Sequence, residues 1–181
     1  FAALRKDTGQ NIFPVMSIEI MKRMFRHMAW ANEKIFTQVS ELPEHALKFS
    51  AWNPDWTVGH ICNHIVIAQG RFISRLQKID PPTETEFPLT QTGMRELVQK
   101  CVTNDQKFFE YLDDPDEVLN FIRYGEQVSF LKSTLLAQTV HHATDHRAQI
   151  AAILATNDMD VINLDDIDFW EFEKWERSKI K

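Results

Sequence analysis

Two histidines in the segment VHHATDHRAQIAAIL, His142 and His146, are spaced so that they could hold a metal ion together. The segment has no glycine or proline and is predicted to form a helix. Residues four apart on a helix have Cβ atoms about 5–6 Å apart. Stepping by three or four from Thr139 and from Ile150 places both histidines on the inward face. Two imidazoles in this arrangement can bind one ion at distances near 2.0–2.1 Å.

A third histidine, His64 in WTVGHICNHIVIAQG, stands at the edge of another apolar helical stripe and could complete the ligand set. His60, one turn earlier, is the rival third ligand, a supporting group, or a fourth ligand that would close the site as in structural zinc. Histidines packed in the core and hydrogen-bonded to neighbours remain the alternative, because unpaired buried imidazoles would cost roughly 1–3 kcal/mol each. His141 falls on the polar face of its helix.

Two other metal centres that are common in helical proteins are excluded by spacing. No histidine follows a glutamate by three positions, as the carboxylate-bridged di-iron bundles require, and H-E-x-x-H is also missing. A single divalent ion on three imidazoles, with zinc, nickel or iron as the metal, is the interpretation that remains.

Four long helices are predicted to position these residues, so that the fold class is all-α. Apolar residues recur at three- and four-residue steps in each segment, Thr57 offers an N-cap for the second, and a short helix is expected in the aromatic tail, packing across an end of the bundle. The segment VLNFIRYGEQVSF alternates like a hairpin or an irregular loop. The predicted helices cover about 17–40, 57–80, 92–112 and 131–156.

Composition limits the function further. The chain has 181 residues, which suits one domain over 17–181 preceded by an extension over 1–16. The formal net charge is −6 without basic runs, so nucleic acid is not an expected partner. Two cysteines are too few for a disulfide framework, and no apolar run approaches the roughly 20 residues of a membrane span. We expect a protein of the cytoplasm that contacts no membrane.

The order and spacing of FRHMAWANEKIF, WTVGHICNHIVIAQGRF and VHHATDHRAQIAAIL resemble the DinB/YfiT-like superfamily, which is unrelated to the DNA polymerase of similar name. The resemblance covers about residues 17–156, and Ala148 stands where the family often carries glycine. It implies a four-helix bundle of the DinB/YfiT type with a short extra C-terminal helix. It also implies one divalent metal ion held by His64, His142 and His146, and it is compatible with a homodimer.

Characterised members of the family include transferases that join low-molecular-weight thiols to electrophiles. The expected function is therefore a metal-dependent thiol S-transferase, with metal-assisted hydrolysis and a non-catalytic metal-binding bundle as alternatives. Asn63 and Gln149 could support the ligands or could equally be ordinary interhelical polar groups. Arg147 could orient an anionic substrate, but its place beside His146 favours a surface ion pair, and Asp145 faces away similarly. Asn32, in the first-helix motif, is expected to be a packing or surface residue.

Overall fold

Five α-helices and one β-hairpin make up the computed structural model, which describes residues 15–83 and 85–179. The expected extension over 1–16 lies outside the described residues except for its last two positions, which begin the first helix. The elements are α1 Val15–Ser40, α2 Val58–Gln77, α3 Gln91–Phe108, β1 Val118–Arg123, β2 Glu126–Leu131, α4 Lys132–Thr156 and α5 Phe169–Ser178.

Local chemistry sets where the helices begin and end. The predicted cap at Thr57 is confirmed, since its side chain accepts a hydrogen bond from the backbone N–H of His60 at 3.3 Å. α2 ends earlier than expected, at Gln77, where Lys78 adopts the left-handed conformation that closes many helices. α3 also ends early, at Phe108, and continues as a single 3-10 turn to Tyr111.

The four long helices pack on one another, with α1 against α3 and α4, and α2 against the same two helices. Fully buried aliphatic side chains from all four form the larger core, for example Ile35, Ile61, Leu97 and Ile150. A second apolar cluster, centred on Phe25 and Phe108, lies next to the hairpin. This packing holds α2 and α4 side by side, so that side chains from both helices can meet in the groove between them.

The expectation of an all-α chain is wrong in one segment, since β1 and β2 form a two-stranded antiparallel sheet. Tyr124 and Gly125 connect the strands with φ values of +52° and +82°, the conformation of a tight hairpin turn that suits glycine. Leu119 of β1 is buried in the second apolar cluster. This contact anchors the hairpin on the helices and decides between the two alternatives that the sequence left open.

The C-terminal helix was predicted, but it lies beside α1 and not across an end of the bundle. Phe172 of α5 is fully buried against Trp30 of α1, and the ring of Trp175 also contacts that of Trp30. Arg23, two turns before Trp30 on α1, donates a hydrogen bond to Glu173 of α5 at 3.0 Å. Within the described part of the chain, no helix is both long and apolar enough to cross a membrane.

Candidate metal centre

The three predicted ligands meet in the groove between α2 and α4. His64 comes from the second turn of α2, and His142 and His146 come from consecutive turns of α4. One ligand atom of each histidine lies within 4.8 Å of the others, and no other His, Cys, Asp or Glu of the described residues belongs to this group. We call these three residues the histidine group.

His142 and His146 line the groove and do not point into the core as the sequence predicted, whereas His64 lies at the edge of the core, as predicted. All three are half-buried, whereas the neighbouring positions Ala143 and Arg147 are fully buried. The inward stripe of α4 therefore runs from Thr139 through Ala143 and Arg147 to Ile150. The helical period was correct, but the phase was wrong by one residue, about 100° of rotation. A half-exposed ligand set is one that a small molecule can reach.

The distances within the histidine group suit a shared ion. The Nε2 atoms of His64 and His142 are 2.9 Å apart, and the ring centroids of His142 and His146 are 4.4 Å apart. Two imidazole lone pairs repel each other at 2.9 Å, so a proton or a cation must lie between them. The donor set, three imidazoles without a carboxylate, is one that binds zinc, nickel, iron or copper.

The charge state of the group also favours a cation. Burial, and then the proximity of His146 and His64, lower the pKa of His142 to about 3. This imidazole is therefore neutral at pH 7 and keeps a lone pair for a metal. Since metal ligation requires neutral imidazole, the site needs no proton release from His142 before an ion can bind.

The orientation of His146 is fixed by Gln149 and Trp56. The indole N–H of Trp56 can only donate, and it lies 3.0 Å from Oε1 of Gln149, so that atom must be the amide oxygen. The same oxygen is 2.8 Å from Nδ1 of His146, which must then carry the proton. The remaining nitrogen, Nε2, keeps its lone pair for a metal. A partner of this kind typically accompanies a ligating histidine.

Residues 16–175 of the chain match the model of the DinB family. The chain belongs to the DinB family. None of the curated proteins compared with it matches. The family assignment rests on nearly the whole described chain and includes all three members of the histidine group. It confirms the resemblance that the sequence motifs indicated.

Two further predicted residues of this DinB-family chain lie near the group without joining it. Asn63 is buried and fixes the loop before α3 through two hydrogen bonds. Its side-chain oxygen accepts one from the backbone N–H of Phe87 at 2.7 Å, and its amide nitrogen donates one to the carbonyl of Phe87. Nδ1 of His60 lies 3.6 Å from a carboxylate oxygen of Glu86, and its ring packs on Trp56. His60 is therefore not a fourth member of the group, and Asn63 supports the fold and not a ligand.

Arg147 corrects the sequence prediction most clearly, because it is buried in the core of the DinB-family fold and forms no surface ion pair. Its side chain is 2% exposed and donates hydrogen bonds to Oδ1 of Asn32 at 2.5 Å and to Oγ1 of Thr144 at 3.1 Å. Asn32, expected to be a packing or surface residue, is a buried polar link between α1 and α4. Asp145 and His141 are exposed, as predicted.

A buried polar network continues from Arg147 through Asn32 into α3. The amide of Asn32 donates to Asp105 at 3.1 Å, and Gln69 of α2 donates to the same carboxyl at 2.6 Å. Burial raises the pKa of Asp105 to about 7, against the hydrogen bonds from Asn32 and Cys101 and the charge of Arg147. Burial likewise lowers the pKa of Arg147 to about 10, against Asp105. All four long helices thus share one charged network behind the histidine group.

Two aromatic residues that were not predicted as site residues border the histidine group. The ring of Trp56 lies 5.0 Å from that of His64 and 5.6 Å from that of His146, and Phe72 stands edge-on to His142 at 5.8 Å. Trp56 directly precedes the N-cap of α2, and Phe72 lies two turns after His64. The available signal was their position in the sequence, with Trp56 beside the cap of the helix that carries His64 and Phe72 on that helix.

Proposed function

We propose that this protein is a metal-dependent thiol S-transferase with one divalent ion held by His64, His142 and His146. The proposal rests on the convergence of three imidazoles within 4.8 Å, without a carboxylate in the group. Neutral ligands leave the full charge on the ion. A divalent ion bound there lowers the pKa of a thiol or water that reaches it and supplies a nucleophile near neutral pH.

The chain's own residues would bind and orient the reactants. Gln149 holds His146 in the tautomer that ligates through Nε2. Trp56 and Phe72 flank the group and provide apolar walls for a small molecule in the half-open groove. In the transfer, the thiol loses its proton to solvent and its sulfur forms the new bond to carbon. The leaving group departs with the electron pair of the bond that breaks, and the products are a thioether and the free leaving group.

Metal content is the first test. Protein purified without a nickel column should contain about one divalent ion per chain by elemental analysis, and His64→Ala, His142→Ala and His146→Ala should each lose it. His141→Ala is the matched control, because this exposed histidine lies on the same helix outside the group. No bound ion, and none after titration with zinc, nickel or manganese, would mean that the group is a hydrogen-bonded polar cluster.

Thiol transfer is the second test. The metal-loaded protein should accelerate the reaction of a low-molecular-weight thiol with the electrophile monobromobimane, and the three alanine variants should react at the uncatalysed rate. A protein that retains its ion but gives no acceleration over a panel of thiols and electrophiles would be the non-catalytic metal-binding bundle.

Hydrolysis by metal-activated water is the second candidate, favoured by one observation. His60, one turn before His64, pairs with Glu86 and could transfer a proton as a general base. Replacing His60 with glutamine should abolish hydrolysis but leave thiol transfer unchanged, since a thiol that has already lost its proton needs no base. Hydrolysis of ester or amide substrates that depends on both the ion and His60 would favour this candidate over thiol transfer.

A further inference from the structure

The guanidinium of Arg75 on α2 lies against two phenylalanine rings. Its central carbon lies 5.6 Å from the ring centroid of Phe72 and 4.5 Å from that of Phe121 in the hairpin. The side chain is half-buried, and among the described residues its guanidinium forms no hydrogen bond or ion pair. Arginine stacked in this way keeps its forked N–H donors in one plane and available.

Two more arginines surround this position. Burial, and then repulsion from Arg71 and Arg123, lower the pKa of Arg75. Arg71 lies one turn earlier on α2 and has a further partner of its own, whereas Arg123 is exposed at the end of β1 with its guanidinium over Tyr124 at 4.8 Å. Cationic groups that repel one another favour an anion between them.

The arginine position is continuous with the histidine group. Phe72 contacts His142 on one side and Arg75 on the other, so the guanidinium carbon is at most about 11 Å from the His142 ring, the two ring distances laid end to end. Along α2, Arg75 follows His64 by eleven positions, close to three full turns, so both residues lie on one stripe of the helix. A single extended molecule can therefore contact both.

We propose that Arg75 anchors an anion subsite, which binds a carboxylate or phosphate group of the substrate while the reacting atom of that substrate lies at the histidine group. The part of this proposal that places the reacting atom at the histidine group rests on the proposed function. Bidentate hydrogen bonds from the planar guanidinium suit both kinds of oxyanion, and stacking on Phe72 and Phe121 restricts the side chain before the ligand arrives. The substrate class is then an extended, acidic small molecule, such as a thiol that carries a distant carboxylate.

The subsite is tested first without metal, so that its outcome does not depend on the proposed function. Arginine side-chain N–H signals of the metal-free protein are followed by nuclear magnetic resonance during titration with inorganic phosphate, with succinate, and with chloride at equal ionic strength. The Arg75 signal should shift saturably with phosphate or succinate and not with chloride, and the stronger of the two identifies the kind of oxyanion. No saturable shift with either anion would overturn the subsite, even if the protein binds its metal.

The second test uses the metal-loaded protein and two ligands of matched shape, glutathione and its diethyl ester, which lacks the carboxylate charges. Isothermal titration calorimetry should show that Arg75→Gln raises the Kd for glutathione about tenfold and leaves that for the ester unchanged. Arg75→Lys, which keeps the charge without the fork, should fall between. Arg95→Gln, at an exposed arginine of α3, is the control and should bind like wild type.

The outcomes separate the two proposals. Equal loss of glutathione and ester in Arg75→Gln, or no loss of either, would overturn the anion subsite while leaving the metal site intact. A saturable anion shift in a protein that binds no metal would keep the subsite and overturn the thiol transferase. Metal content and the midpoint of thermal unfolding, measured on every variant, ensure that a binding change is not caused by misfolding.

Discussion

Nδ1 of His146 lies 2.8 Å from the side-chain oxygen of Gln149, three residues further along the same helix. The donor-only indole of Trp56 fixes the orientation of the amide, so the pair determines which imidazole nitrogen faces the groove. The indole N–H of Trp56, just before α2, therefore determines that Nε2 of His146 on α4 carries the free lone pair. The ligand set is arranged by hydrogen bonds as much as by helix packing.

Gln149→Leu should weaken binding of zinc about 10- to 100-fold, because His146 would lose the acceptor that fixes its tautomer. Competition titration with a chromogenic chelator measures the change. Gln138→Leu, at an exposed glutamine on the same helix, is the control and should keep wild-type affinity. Unchanged zinc affinity in Gln149→Leu would show that the ring needs no such support.

Much of the fold could be predicted from the sequence because the pattern of apolar residues was sufficient for it. Four helices follow from apolar steps of three and four, and the cap at Thr57 follows from its side chain. The hairpin could not be decided, since its alternation is short and its anchor, Leu119, depends on a cluster from distant helices. The place of α5 depends likewise on contacts with Trp30, which local pattern does not contain.

The histidine group could be predicted from i, i+4 spacing and the family motifs, but the residues behind it could not. An arginine in a helix is expected to be exposed to solvent, since burying its charge is costly. Arg147 is buried because Asn32, 115 positions earlier in the chain, accepts a hydrogen bond from it, and the carboxyl of Asp105, 42 positions earlier, is linked to it through Asn32. Such compensation is tertiary, and the apolar period of α4 gives no sign of it.

Arg147→Met should lower the free energy of unfolding by roughly 3 kcal/mol, because it removes one partner of a buried charged network. The loss should be larger at pH 8 than at pH 6, since Asp105, whose pKa is raised to about 7, can take up a proton at the lower pH. Urea denaturation followed by circular dichroism measures both values. Arg95→Met, at an exposed site, should change stability by less than about 0.5 kcal/mol.

Asp105 should make stability depend on pH in an unusual direction. Its pKa is raised from 3.8 to about 7 by burial, so between these values the folded protein holds a proton that the unfolded chain has lost. The free energy of unfolding then falls as pH rises from 3.8 to about 7, and above that range Asp105 no longer changes it. The stability difference between wild type and Asp105→Asn should therefore decrease from pH 4 to pH 7.

The comparison cancels the titration of all other groups, because both proteins share them. Asp145→Asn is the control at an exposed carboxyl on α4, and its difference from wild type should not decrease over the same range. A difference for Asp105→Asn that stays flat or grows with pH would indicate that Asp105 is ionised in the folded protein throughout.

Phe172 should be the residue that holds α5 on α1. It is fully buried against Trp30 and Trp175, whereas Trp170, on the same helix, is 76% exposed. Phe172→Ala should lower the free energy of unfolding by roughly 3–5 kcal/mol, from lost burial and the cavity that remains. Trp170→Ala should lower it by less than about 0.5 kcal/mol. Equal effects of the two variants would mean that the aromatic contacts of α5 contribute nothing specific, and that the ion pairs of Arg23 and Arg26 with Glu173 and Glu176 hold the helix instead.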